Sequence, residues 1–380
     1  MTRGLGGTTI FTEMTQLANQ HGAVNLAQGF PDFPGPAFVR QAAIEALQAE
    51  HDQYAPMIGL PSLRAAVVVH RQRFSGIAYD ADTQVLVGCG AVELLTSSLL
   101  ALCEPDAGVL LLEPFYDSYL AAAQLASAPV RTVRLAPPAF RLDEEALAAA
   151  LASGGVRVLV LNQPHNPTGR VFDRDELAAI ARLAVRHDLV VICDEVYEHL
   201  VYDRPFVSLS TLPQMAERTL VISGMSKTFS FTGWRLGWMT GPAHLVAAVR
   251  AVHQFVTFAA PTPLQHAATV ALGAGDDYYR TLQREFAARR SKLGRALEAI
   301  GFEVYWPEGA YFICAGFSRL WEDDDVTVCR RLTTEIGVAA IPPSAFFVDK
   351  APQPYVRFTF AKRDATLDAA IERLQRISTR

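Results

Sequence analysis

One lysine of this chain sits among small hydroxyl residues and glycines, in Ser223-Gly-Met-Ser-Lys227-Thr-Phe-Ser-Phe-Thr-Gly-Trp-Arg235. Such neighbours can take an amine out of bulk water and leave it a nucleophile. Arg235, on the same segment, can neutralise a phosphate through paired N–H donors. A basic surface loop would also account for the segment. Asp194 follows the apolar run Val190-Val-Ile-Cys193 directly. A carboxylate at the end of a buried strand needs a partner, because a lone buried charge is costly. A helix cap, a salt bridge or a protonated ring nitrogen would each serve, and Tyr197 can share its face. In Asn162-Gln-Pro-His-Asn166-Pro-Thr-Gly169, two prolines and a glycine stiffen a turn from which Asn166 can present its amide. A turn in which the asparagine bonds only its own backbone explains the motif as well. Gly90-Ala91-Val92 opens a helix-like segment just after an apolar run. Free N–H groups at a helix N-terminus bind phosphate without a side-chain charge, although such turns also serve packing alone.

For these positions to meet, the chain must bring several strand ends to one edge. Residues 85–87, 109–112, 157–161, 189–192 and 219–222 are short, nearly continuous apolar runs. Helix-patterned segments separate them, one opened by Asp173 as N-cap. Such strands are buried on both faces. That predicts a mostly parallel sheet between two helix layers, an α/β fold of α/β/α type. Parallel strands end on one edge, where sheets of this kind bind ligands. Past residue 275 the pattern changes. A long charged helix is expected over 278–299, extended segments at 301–305, 309–314 and 356–360, and an amphipathic helix over 366–377. This predicts a second, smaller α+β domain. The expected division is 1–27 for an N-terminal arm that begins the small domain, 28–275 for the large domain and 276–380 for the rest of the small one.

Half of the 380 residues are hydrophobic and 19% are charged, which permits a large core and excludes wholesale disorder. A net charge of −5 argues against nucleic acid or an anionic membrane as partner. The densest basic stretch, from Arg289 to Arg295, is expected to be a solvated helix face rather than a binding patch. The cysteines (Cys89, Cys103, Cys193, Cys314 and Cys329) form no C-x-x-C pair and fit no zinc spacing, so no metal is expected. A reduced, cytoplasmic chain follows from that usage. The first residues lack an apolar run of signal-peptide type, and no run reaches membrane-spanning length.

Taken jointly, four motifs carry a resemblance over nearly the whole chain. They are Asn-x-Pro-x-Asn-Pro-Thr-Gly at 162–169, Asp-Glu-x-Tyr at 194–197, Ser-Lys-Thr-Phe-Ser-x-Thr-Gly-Trp-Arg-x-Gly at 226–237, and Val-Arg-Phe at 356–358. The chain resembles the class I/II aminotransferases, whose fold is type I of the pyridoxal 5′-phosphate (PLP) enzymes. Asn25-Leu-Ala-Gln-Gly-Phe-Pro-Asp-Phe33, Glu113-Pro-Phe-Tyr-Asp117 and Gly309-Ala-Tyr-Phe312 make it most similar to the kynurenine–glutamine and methionine aminotransferase branch. It is also similar to N-succinyldiaminopimelate aminotransferases. The resemblance implies PLP held covalently on Lys227, with Asp194 on its ring nitrogen and Asn166 and Tyr197 on its phenolic oxygen. It implies Tyr116 stacked on the ring, and the phosphate on Gly90, Ala91, Val92, Ser226 and Arg235. Arg357 would clamp the substrate carboxylate, with Gly29, Asn166 and Phe11 lining the substrate side. It also implies a homodimer with shared sites, into which Tyr54 of each subunit reaches for the other's phosphate. A surface turn around Gly59 and Pro61, with Tyr54 merely packing, is the competing account.

Two positions depart from the family pattern. Gly224 stands where a phosphate-binding serine is frequent, and Val92 where a threonine is. Phosphate hydrogen bonds are therefore expected to be missing, unless Ser223 or Ser226 supplies one. The same residues would also serve β-elimination from cysteine S-conjugates. A sensor half of a transcription regulator is disfavoured, because the resemblance begins within the first ~30 residues and leaves no room for a DNA-binding domain. No second arginine marks dicarboxylate substrates. Phe11, Phe30, Phe33 and Phe115 suggest an apolar pocket for neutral, aromatic or sulfur-containing amino donors, with a 2-oxo acid as acceptor. N-Succinyldiaminopimelate is the alternative donor.

Overall fold

The computed structural model describes residues 9–379. The first residues, expected to hold no signal-like run, lie outside the described residues. The strands, in chain order, are β1 (Val24–Asn25), β2 (Val85–Gly88), β3 (Gly108–Glu113), β4 (Val130–Arg134), β5 (Val156–Asn162), β6 (Val190–Asp194), β7 (Thr219–Gly224), β8 (Gly237–Thr240), β9 (Glu303–Tyr305), β10 (Phe312–Gly316), β11 (Val338–Ala339) and β12 (Tyr355–Thr359). Seven of them form one sheet in the order β2-β8-β7-β6-β5-β3-β4. Only β8 runs against the others in it.

Both faces of this sheet are buried, and the apolar runs explain how. Leu110, Leu112, Leu159, Leu161, Val191 and Cys193 enter one core with Leu177 and Ile180 of the helix Arg174–Arg186. Their alternate neighbours Val109, Leu111, Val158, Val160, Val190 and Ile192 enter another core with Leu94, Leu95 and Leu99 of the helix Ala91–Leu102. The period of two in a strand sends successive side chains to opposite helix layers. The expected three-layer α/β/α architecture is therefore the one adopted. Asp173 caps its helix and forms a full capping box with Glu176.

The C-terminal part builds a three-stranded antiparallel sheet, β12-β10-β9. Its core draws on Leu293 and Leu297 of the helix Asp276–Ile300, and on Leu367 and Ala370 of the helix Asp364–Leu374. Met14 and Ala18 of the first helix, Ile10–Gln20, enter the same core. β1 pairs with β11 in parallel, Val24 opposite Val338.

Some features depart from the sequence reading. β4 and β8 lack a continuous apolar run and were not foreseen. The basic stretch is a solvated face only in part: Arg295 is exposed, but Arg290 pairs with Asp203, Arg289 lies over the Phe33 and Phe286 rings, and Lys292 reaches Asp368 at 2.6 Å. The latter three charges are satisfied within the chain. None of the described helices is long and apolar enough to cross a membrane.

Candidate active site

The ends of β3, β5, β6 and β7 meet at one edge, and a cavity of about 440 Å³ opens there. β8 explains a position the apolar runs could not. Because it runs backwards, its beginning lies at the same edge, and the residues just before Gly237 are delivered there. Arg235 is one of them. It adopts a left-handed backbone, φ 49° and ψ 52°, which is rare for a side chain this large and recurs at functional sites.

The cavity lining includes Phe11, Gly29, Ala91, Val92, Tyr116, Asn166, Asp194, Tyr197, Ser226, Lys227, Arg235 and Arg357. Gly90 is the N-cap of the helix Ala91–Leu102, with φ 88°. A Cβ there would stand 2.8 Å from Arg235 Nη2, so the glycine lets the guanidinium close on the helix N-terminus. Tyr54 does not line the cavity. It is 84% exposed and packs edge-on against Phe258.

Asp194 is fully buried, and burial raises its carboxyl above the usual range. Tyr119 Oη donates to its Oδ2 at 2.6 Å, and the Val196 amide to its Oδ1 at 3.3 Å. The carboxylate has no ion-pair partner among the described residues. Lys227 likewise forms no ion pair or hydrogen bond among them. Its ammonium lies 5.6 Å from the ring centres of Tyr197 and Tyr311. Burial pushes the Tyr116 phenol up to about 12 and the Tyr197 phenol well above its ordinary value, so both are hydrogen-bond donors at neutral pH.

Arg357, on β12, is buried, and its guanidinium lies 4.2 Å from the centre of the Phe312 ring. It donates from Nη1 to Asn166 Oδ1 and from Nη2 to Ala27 O, both at 2.9 Å, while Nε has no partner. Burial lowers it to about 10, which leaves it cationic at neutral pH. Asn166 is held in turn through Asn162 Oδ1, which accepts from the Asn166 amide at 2.7 Å. At Gly29 a Cβ would meet the Phe312 ring at 2.5 Å, and Tyr311 Oη donates to the Gly29 carbonyl. That position has no room for a side chain.

Residues 21–374 match the family model for aminotransferase class I and II. The chain belongs to the class I and II aminotransferases. A probable N-succinyldiaminopimelate aminotransferase of Mycobacterium tuberculosis is 46% identical, over 98% of this chain and 97% of that protein. The methionine aminotransferase of Escherichia coli strain K12 is 40% identical, over 98% of this chain and 96% of that protein. The solved structure of the Mycobacterium tuberculosis N-succinyldiaminopimelate aminotransferase superposes with a TM-score of 0.94 over 98% of this chain and 97% of that one.

An aminotransferase of this class uses pyridoxal phosphate, and the cavity fits it. A buried carboxylate without an ion-pair partner, a cationic helix-terminus cradle and a lysine amine without a hydrogen bond are the donor set that a protonated pyridine, a phosphate and an aldehyde require. Sequence reasoning missed Tyr119, Asn162, Asp117, Thr232 and Phe312, which also line this aminotransferase's cavity. Asn162 stood within the quoted turn motif. Tyr119 carried no signal of its own, since its contact with Asp194 spans 75 residues.

At Gly224 an added Cβ would lie 2.8 Å from Leu236 O and 2.9 Å from Gly237 Cα. Backbone on the β8 side occupies the space that a serine would need. Gly224→Ser is therefore expected to weaken PLP retention several-fold and to lower the melting temperature. Cofactor dissociation, followed by fluorescence, and a thermal melt of both proteins check this. Tighter PLP in the variant would show that β8 yields and that the hydroxyl reaches the phosphate.

Proposed function

We propose that this aminotransferase takes its amino group from neutral amino acids with aromatic or sulfur-containing side chains and passes it to a 2-oxo acid in a ping-pong cycle. The observation that carries this reading is the lining of the cavity. Among the described residues its cations are Lys227, Arg235 and Arg357. The first two belong to the cofactor and the third to the α-carboxylate, so none remains for a second carboxylate on the substrate. Phe11, Phe30, Tyr116 and Phe312 supply apolar surface.

Lys227 would carry the cofactor and, once substrate is bound, move the proton released from the substrate Cα. Bound PLP would supply the electron sink for the pair left behind. Asp194 would hold a proton on the ring nitrogen, with Tyr119 fixing the carboxylate. Asn166 and Tyr197 would bond the ring's phenolic oxygen, and Tyr116 would pack on the ring. The Ala91 and Val92 amides, Ser226 and Arg235 would hold the phosphate. Arg357 binds the substrate carboxylate through paired donors, and Gly29 lets the substrate approach. Residues 28–275 form the cofactor lobe. The described residues before 28 and after 275 form the lobe that brings Arg357. The unpaired thiols agree with a cytoplasmic setting.

A panel of donors tests the substrate reading. Methionine or phenylalanine should exceed aspartate by at least ~10-fold in kcat/KM, the order of a hydrophobic-pocket preference. A preference for aspartate would contradict it. The 46% identity to a probable N-succinyldiaminopimelate aminotransferase favours a second reading, in which that donor wins the panel.

The same reading makes the active form a homodimer. Exposed Tyr54 packs on exposed Phe258, and Phe255, 86% exposed, and Val256 stand just before Phe258 in the chain, apolar surface suited to a second copy. From there Tyr54 would reach the partner's phosphate. A mixed dimer of Tyr54→Phe and Lys227→Ala subunits then keeps one unaltered site and half the wild-type activity. If its remaining activity shows the weakened PLP affinity of the Tyr54→Phe homodimer, the sites are not shared.

A further inference from the structure

A second cavity, of about 460 Å³, is lined by Arg71, Glu198, His199, Ser208 and Tyr279, none of which touches the first. A buried polar cluster stands against it. His70 and Arg71 come from the helix Pro61–Ser75, Glu195, Glu198 and His199 from the segment after β6, and Ser223 from β7. Arg71 Nη1 lies 3.1 Å from Glu195 Oε2 and 3.2 Å from Glu198 Oε2. Ser223 Oγ donates to Glu198 Oε1 at 2.6 Å. His70 Nε2 and His199 Nε2 stand 2.9 Å apart.

Two carboxyl groups face one guanidinium here, among groups that are all more than nine-tenths buried, and the nearby Arg73 is already paired with Asp276. A further cation beside them is favourable. In the 2.9 Å contact one imidazole Nε2 carries the proton and the other accepts it, so a metal ion would take that proton's place. His70 Nδ1 has no hydrogen-bond partner among the described residues. One ligand atom from each of His70, Glu198 and His199 lies within 4.8 Å of the others.

We propose that His70, His199 and Glu198 bind a divalent transition-metal ion of the zinc class. Two neutral imidazoles and a carboxylate are a borderline-soft ligand set that suits zinc, and three protein ligands leave a fourth position open. His199 and Glu198 line the cavity, so that position faces it. Ligand nitrogens at ~2.0 Å from a tetrahedral zinc stand ~3.3 Å apart, so the imidazoles separate by ~0.4 Å from their present contact. Glu198 turns Oε2 from Arg71 to the ion, and Arg71 keeps Glu195. The open fourth position takes a water, a hydroxide or a small carboxylate entering through the cavity.

Chelator-treated holoenzyme titrated with Co²⁺, and with Zn²⁺ by calorimetry, tests the site. One equivalent per chain is expected, with the visible spectrum of tetrahedral cobalt. Glu198→Gln and His199→Asn should each lose that equivalent. The His51 and His266 rings stack 4.0 Å apart elsewhere and are a second place for an ion, so His51→Gln should keep it. Should the buried-site variants fail to fold, X-ray absorption of the cobalt-loaded wild type decides, with two imidazole nitrogens expected in the shell. No binding, binding lost in His51→Gln, or a shell without two imidazoles would overturn the proposal.

Discussion

Lys227→Ala is expected to leave no measurable amino transfer, a loss beyond ~10⁴-fold, the upper range for one proton-transferring side chain. Among the described residues Lys227 is the only lysine lining the cavity, so no second one there can take over its attachment or its proton. The direct check is chemical rather than kinetic. Borohydride treatment and intact-mass analysis should find the cofactor fixed to the wild type and none fixed to the variant. An adduct that persists in Lys227→Ala would place the attachment elsewhere and overturn the assignment.

For Asp194→Ala the expected loss in kcat is at least ~10²-fold, in line with removal of a single preorganised electrostatic partner. The carboxylate is buried, has no ion-pair partner among the described residues, and is oriented by Tyr119 at 2.6 Å. In the proposed arrangement its loss leaves no other described side chain there to hold a proton on the ring nitrogen, and electron withdrawal from the substrate weakens. KM should move less than kcat, because Asp194 does not touch the substrate. A rate within a few-fold of wild type would refute its role. Tyr119→Phe should fall between the two proteins, since it loosens the carboxylate without removing it.

How far these residues were legible in advance followed from the range of the interactions. Lys227, Asp194 and Asn166 sit at strand ends, and a strand end is a local pattern, an apolar run followed by a polar residue. The parallel sheet then brings such ends together as a matter of topology. Arg235 was found by its motif but not explained by it. Its place depends on β8, whose Gly237-Trp-Met-Thr240 has too little β-branched character to stand out. The Tyr119 contact and the His70–His199 contact join elements far apart in the chain, 129 residues in the second case. Charge balance inside the fold can be counted only once such groups have met. The Arg289–Arg290 pair illustrates the same limit. Its charge was legible, but the Phe33 ring and the aspartate that help absorb it come from other elements.

The pairing of β1 with β11 also bears on when this molecule becomes an enzyme during synthesis. Arg357 bonds the carbonyl of Ala27 across 330 residues, and Lys362 Nζ bonds that of Phe30 across 332. Contacts of such separation close the longest loops in the chain and form last. A ribosome releasing this polypeptide can fold the seven-stranded sheet, with Lys227 in place, well before residues 338–359 emerge. Until then β1 has no strand to pair with, and Arg357 is missing from the cavity wall. The nascent chain can thus hold the cofactor's half of the site while having no place for an amino acid, and competence arrives with the last few dozen residues.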